Sequence, residues 1–169
     1  MSMHDLALSV ATDPDHRFDL AVQLGQFDVA LDIARHGPAS GAEMRWRTIG
    51  DQALAHWDVA LAQECFKHAN DVHSLFLVAT AQQDEALLRH VAEAARAKGE
   101  LNLAVAALVQ LQDTRGVVDV LMQAQRLPEA ALFARTYAPH LVPETMRAWK
   151  ASLSAQSKQK QQDLEDRLA

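Results

Sequence analysis

A single cysteine, Cys65, leaves this chain without an intrachain disulfide and suits a reducing compartment. Aromatic residues are only 5 % of its 169 positions, too few for a β-rich core, which would want more Val, Ile, Thr and Tyr. No apolar run approaches the ~20 residues of a membrane span. Met1 to Asp5 hold no basic region and no signal-type apolar stretch, so nothing is expected to direct the chain out of the cytoplasm. The formal net charge of −6 argues against nonspecific binding to nucleic acid or anionic lipid. The six glycines are isolated, so there is no phosphate-cradling loop and no Gly-x-Ser-x-Gly elbow. No Gly/Ser linker interrupts residues 13–153.

What remains is rich in Ala and Leu, 49 % hydrophobic overall, and favours helix. The phrase Phe27-Asp28-Val29-Ala30-Leu31 returns as Trp57-Asp58-Val59-Ala60-Leu61, with looser copies from Leu101 and Leu127. A large apolar residue, a cap-forming or Pro position and a small Ala three places on read as a repeated helix start. Recurrence at roughly 25 to 45 residues predicts stacked helical hairpins. The expected fold is therefore all-α: an α-solenoid of antiparallel hairpins, about nine to ten helices, over residues 1–153.

Punctuation brackets the helices. Asp13-Pro14 starts the first and Gly25 ends it; the second runs from Phe27 to Arg35 before Gly37-Pro38. Ser40 and Glu43 predict a capping box for the third, Asp58 opens a fourth and Asp84 a sixth. Further helices are expected over 101–111, 117–124 and 128–137. Pro139 and Pro143 break the chain before a last helix with Met146, Trp149 and Leu153. The Ser/Gln/Lys-rich segment 154–169 is expected to be a frayed helix end or a disordered tail. Leu6, Leu8 and Val10 read as the last turn of a repeat whose earlier half is missing, so a fragment, or a docked N-terminal end, is expected.

Solenoids bind and scaffold, so the candidate site is an interface. The fifth helix, from Val72, is apolar on nearly every side, which requires cover within the stack or from another chain. Leu75, Phe76, Leu77 and Val78, together with the elbow from Tyr137 to Trp149, are the partner-interface candidates. Trp46 and Trp57 read as packing residues. Charge is uneven: acidic residues crowd the first 32 positions, and Arg135, Arg147, Lys150, Lys158 and Lys160 face only Glu144 near the other end. Two solvated faces, or two ends meeting different partners, both fit that asymmetry.

Catalytic, cofactor and metal residues are not assigned. Glu64, Cys65, His68 and His73 have helical spacings that could gather metal ligands, but zinc sites with one Cys are uncommon and the paired motifs are absent. Cys65 is expected in the core instead. A tetratricopeptide-type adaptor that binds a peptide in its groove is the other reading of the helical repeat. The Asn, Lys and Arg positions that such grooves repeat are not seen.

Three blocks carry a resemblance: residues 13–25 (DPDHRFDLAVQLG), Leu61 to Ala69 running on to Leu75–Ala81, and residues 126–137 (RLPEAALFARTY) with Trp149 following. They resemble the β′-type subunits of coatomer, the coat of COPI vesicles, over about residues 5–153. The resemblance implies a non-enzymatic piece of a coat solenoid without cofactors, paired with other coatomer subunits, the alpha subunit foremost. It further implies a cytoplasmic protein, peripheral on Golgi membranes without inserting in them, serving retrograde Golgi-to-ER and intra-Golgi transport. That family places two β-propellers before its solenoid. None is present here, so no cargo-binding residue is carried over.

Overall fold

The computed structural model of the chain describes residues 13–168. The Leu6–Val10 stretch lies outside the described residues. Among those described there are ten α-helices, a short 3₁₀ turn and no strand. We label the helices α1 (Pro14–Gln23), α2 (Phe27–His36), α3 (Ala42–Ala55), α4 (Val59–His68), α5 (Val72–Gln82), α6 (Glu85–Lys98), α7 (Leu101–Gln110), α8 (Thr114–Gln123), α9 (Leu127–Tyr137) and α10 (Val142–Leu168). The 3₁₀ turn, Pro139–Leu141, precedes α10. The class is all-α, as the composition and periodicity predict.

Contacts divide the chain into two compact units, one ending at Gln82 and the other starting at Gln83. Within the first unit α1 packs on α2 and α3, α2 on α3, α3 on α4 and α4 on α5. Within the second, α6 packs on α7, α7 on α8, α8 on α9 and α9 on α10. Each unit is thus a pile of hairpins in which a helix meets chiefly its sequence neighbours.

One turn makes nearly all these hairpins. Gly25, Trp57, Asn70, Gln83, Gly99, Gln112 and Gln125 each adopt a left-handed backbone, with φ between 51° and 75°. At Trp57, the N–H bonds to Leu54 O at 3.0 Å and the next N–H, of Asp58, to Ala53 O at 2.8 Å. The same pair of bonds closes the junctions at Gly25, Asn70, Gly99, Gln112 and Gln125. This is the Schellman closure of a helix C-terminus, which satisfies carbonyls that the helix leaves open.

The residue after the left-handed one opens the next helix. Asp58, Asp84 and Asp113 accept from the N–H three residues on, at 3.0, 3.1 and 2.9 Å. Asp71 does the same for Ser74 at 3.2 Å. The pairs Trp57-Asp58, Asn70-Asp71, Gln83-Asp84 and Gln112-Asp113 therefore spell one device that both ends a helix and starts another.

This device corrects the register of the near-repeat. Phe27 is the first residue of α2, whereas Trp57 is the left-handed residue two positions before α4. Val59 stands where Phe27 stands, and Ala62 where Ala30 stands. Ala30 and Ala62 are fully buried, while Ala60 is exposed. Trp57 is 87 % exposed, so the expected packing role fails there, whereas Trp46 is buried as expected.

Two further starts differ from expectation. The capping box at Ser40 does not form: Gly41, at φ 77°, precedes α3 without a side-chain cap. Arg45 occupies that corner instead. It is buried and donates to Asp15 Oδ1 at 3.0 Å and to the carbonyls of Ser40, at 2.7 Å, and Pro38. Helix α8 starts at Thr114, three residues before the expected Val117, because Asp113 caps it. Pro143 sits in the first turn of α10, where its missing N–H is no loss. That helix runs on to Leu168 through the polar segment, and the side chains of 154–160 are exposed along it.

Close packing rests on small residues. Ala21, Ala30, Ala53, Ala62, Ala79, Ala95, Ala104, Ala107, Ala130 and Ala134 are wholly buried. In the first unit Phe18, Trp46, Ile49 and Cys65 fill the space between them. Gly50 shows how tight the fit is: a Cβ there would lie 2.6 Å from the ring of the fully buried Phe66. In the second unit Val118, Ala134, Ala138 and Leu141 form the core that seats the 3₁₀ turn and the start of α10.

Candidate partner-binding surface

An apolar helix in a hairpin stack can be covered only on the sides its neighbours reach. In α5, Leu75 and Val78 are buried and Phe76 is partly so. Leu77 is 66 % exposed, on an open strip with His73 and Ala81 at four-residue spacing. Of the four candidates on this helix, Leu77 and the edge of Phe76 are reachable from solvent; Leu75 and Val78 hold the helix in place. The expectation that an all-round apolar helix is covered on several sides is met everywhere except along that strip.

Tyr137 ends α9 and is 64 % exposed. Its ring lies 4.8 Å from that of Phe133, tilted by 40°. With Val109, Gln112, Thr114 and Val117 these two rings line an open, mainly apolar cleft of about 530 Å³. The cleft joins the end of α7, the α7–α8 turn, the start of α8 and the last two turns of α9. Sequence reasoning found Tyr137 but missed Val109 and Phe133. The available signal was that α7, like α5, is apolar on most sides; Val109 is the residue its neighbours leave open.

The elbow beyond Tyr137 is rigidly built. Leu141 and Thr145 are buried, and Thr145 Oγ1 lies within hydrogen-bond reach of the carbonyls of Leu141 at 3.2 Å and Val142 at 3.1 Å. Arg115 of α8 reaches Asp119 on its own helix at 3.1 Å and Glu144 of α10 at 3.1 Å. These bonds fix the entry of α10, on which Trp149 is half-buried. Tyr137 and Trp149 thus flank a stable corner, the first mostly open and the second partly packed.

The residues that could carry chemistry do not converge. Cys65 is wholly buried, and burial, with Glu64 next to it, pushes its thiol up to about 11. Glu64 pairs with Arg35 at 3.5 Å. The His68 ring stacks on Trp46 with centroids 4.4 Å apart, and His73 lies on the open strip of α5. Among the described residues no group of three or more His, Cys, Asp or Glu is placed to hold a metal ion. Asp71 is drawn inward instead to a structural post: Arg47 Nε donates to it at 2.7 Å and the Ser74 hydroxyl at 2.9 Å. Burial alone would raise its pKa; the bonds from Ser74 and Arg47 outweigh that and hold it below its ordinary value. No helix among the described residues is long and apolar enough to cross a membrane.

Comparison with known proteins follows the same lines. The family model described as the COPA/B TPR domain matches residues 1–150. The chain is similar to coatomer subunit beta′ of Drosophila melanogaster, with 38 % identity over 160 residues, which is 95 % of this chain and 17 % of that protein. It is 35 % identical to the Homo sapiens coatomer subunit beta′ over the same shares. Coatomer subunit beta′-1 of Arabidopsis thaliana is 36 % identical over 97 % of this chain and 18 % of its own length. The chain therefore spans about a sixth of the length of the curated relatives it matches.

Proposed function

The chain belongs to the COPA/B TPR domain family, and on that footing we propose that it is a non-enzymatic scaffold segment of a COPI-type vesicle coat. The observation that carries this reading is identity of 35–38 % to coatomer beta′ subunits across 95 % of the chain. Its work is mechanical: residues up to 153 present helix faces to other coatomer subunits, the alpha subunit foremost, and the polar stretch from 154 extends beyond them. The coat in which it serves acts in retrograde Golgi-to-ER and intra-Golgi transport, held peripherally on Golgi membranes from the cytoplasm.

Exposed apolar side chains on rigid supports make contact surfaces, because their burial needs no reordering of the chain. Leu77 with the edge of Phe76, and Tyr137 with the cleft beside it and Trp149 beyond, meet that description. Co-expression with a coatomer alpha subunit tests the reading. The two chains are expected to co-purify, and Leu77→Asp or Tyr137→Asp, both at open positions, to weaken the complex by at least about tenfold. A soluble, folded chain that retains no alpha subunit would sink the proposal.

A further inference from the structure

Trp57 is a large apolar side chain that its surroundings leave uncovered. The other junctions of its kind carry Gly, Asn or Gln at the left-handed position, and here the bulkiest residue stands at φ 64° with 87 % of its surface open. A glycine would serve the turn better. Phe27 meets His56 edge-on at 5.6 Å, so the turn before α2 and the turn before α4 lie side by side. Asp28 and Asp58, both exposed, belong to that same end of the first unit. An open indole beside carboxylates suits a surface bearing lysine or arginine: the cation is drawn to the ring face and the acids supply the opposite charge.

A surface of that chemistry exists on the same chain. Arg147, Lys150 and Lys158 are exposed on α10, and their spacing keeps them on one side of the helix along about 17 Å. Between Glu144 and Asp163 that helix has no carboxylate, and Glu144 itself is engaged by Arg115 at 3.1 Å. We propose that the Trp57 end of one copy docks on the basic side of α10 of a second copy, head to tail. The two surfaces differ, so the contact is heterologous: each copy added brings one unused surface of each kind, and assembly is expected to lengthen with concentration rather than stop at two chains.

Sedimentation equilibrium of the whole chain tests this, from about 1 µM to about 1 mM at low salt. The average mass is expected to climb past that of two chains. Raising the salt to about 0.5 M is expected to weaken association at least about tenfold. Trp57→Gly, which the turn accepts, and the double change Lys150→Glu/Lys158→Glu, at exposed positions, should each remove association. An equal mixture of these two variants leaves one intact surface of each kind, and should pair and stop at two chains. A mass that stays at one chain throughout, a dimer that Trp57→Gly leaves unchanged, or a mixture that fails to pair would each overturn the proposal.

Discussion

Gly50 and Phe66 make a close contact between α3 and α4 that a single substitution can probe. A methyl group at 50 would meet the Phe66 ring at 2.6 Å, and that ring is closed in on all sides. Gly50→Ala gains helix propensity yet should destabilise the chain by about 1–3 kcal/mol through overpacking. The midpoint of urea unfolding measures it; an unchanged or higher midpoint would mean that the two helices can move apart. Cys65 offers a second readout of the same core. Its buried thiol, pushed up to about 11, should resist alkylation at neutral pH in the folded chain and react once denaturant opens the first unit. Fast modification of the native protein would contradict the burial. The sequence told that Cys65 and Trp46 are core residues. It did not tell that Trp57 is open, because a left-handed position two residues before a helix is decided by where the preceding helix stops.

At the scale of a helix and its turn, the Asp caps and the Schellman closures share the task of ending one rod and beginning the next. Asp84→Ala, which removes the bond to the Leu87 N–H, should cost about 1 kcal/mol. Ser40→Ala should change stability by less than about 0.5 kcal/mol, since that hydroxyl caps nothing. Thermal unfolding of the two variants side by side distinguishes them; equal losses would restore the capping box that the sequence pattern suggested. Most helix bounds were legible because Asp, Gly and Pro punctuate the chain, and each acts within a few residues of itself. The start of α8 was missed since the apolar run begins at Val117, whereas the cap that nucleates the helix, Asp113, stands earlier. Beyond residue 153 the letters left a frayed helix end and a disordered tail both open, and α10 runs on through that segment. Ser, Gln and Lys signal nothing to bury, yet they do not forbid a helix.

For the molecule as a whole, acid should be the sensitive variable. The Asp71 carboxylate ties α3 to the start of α5 through Arg47, and its pKa is lowered from 3.8. A carboxyl with a depressed folded value adds stability that is complete above its unfolded value and drains away as pH falls through the lowered one. Denaturation midpoints measured from pH 7 to pH 3 should therefore fall less steeply in Asp71→Asn than in the unaltered chain, although the variant starts lower at pH 7. Parallel curves would mean that the carboxylate contributes nothing special. The uneven charge read along the sequence also belongs to this scale. Acidic residues outnumber basic ones on the first unit, and residues 145–162 of α10 carry basic side chains and no carboxylate, which permits one chain to present two unlike surfaces.

Composition and local punctuation were enough to establish an all-helical chain of short hairpins, because propensity, caps and left-handed turns act over a few residues. The same letters carried the likeness to a coat family. Which side of an all-apolar helix stays open was not in them: Leu77 and Val109 look like their buried neighbours until adjacent helices are in place. The cleft under Tyr137 gathers side chains from three helices, and the break after Gln82 reflects contacts rather than any linker. Burial is a property of what surrounds a residue, and only packing in three dimensions supplies the surroundings.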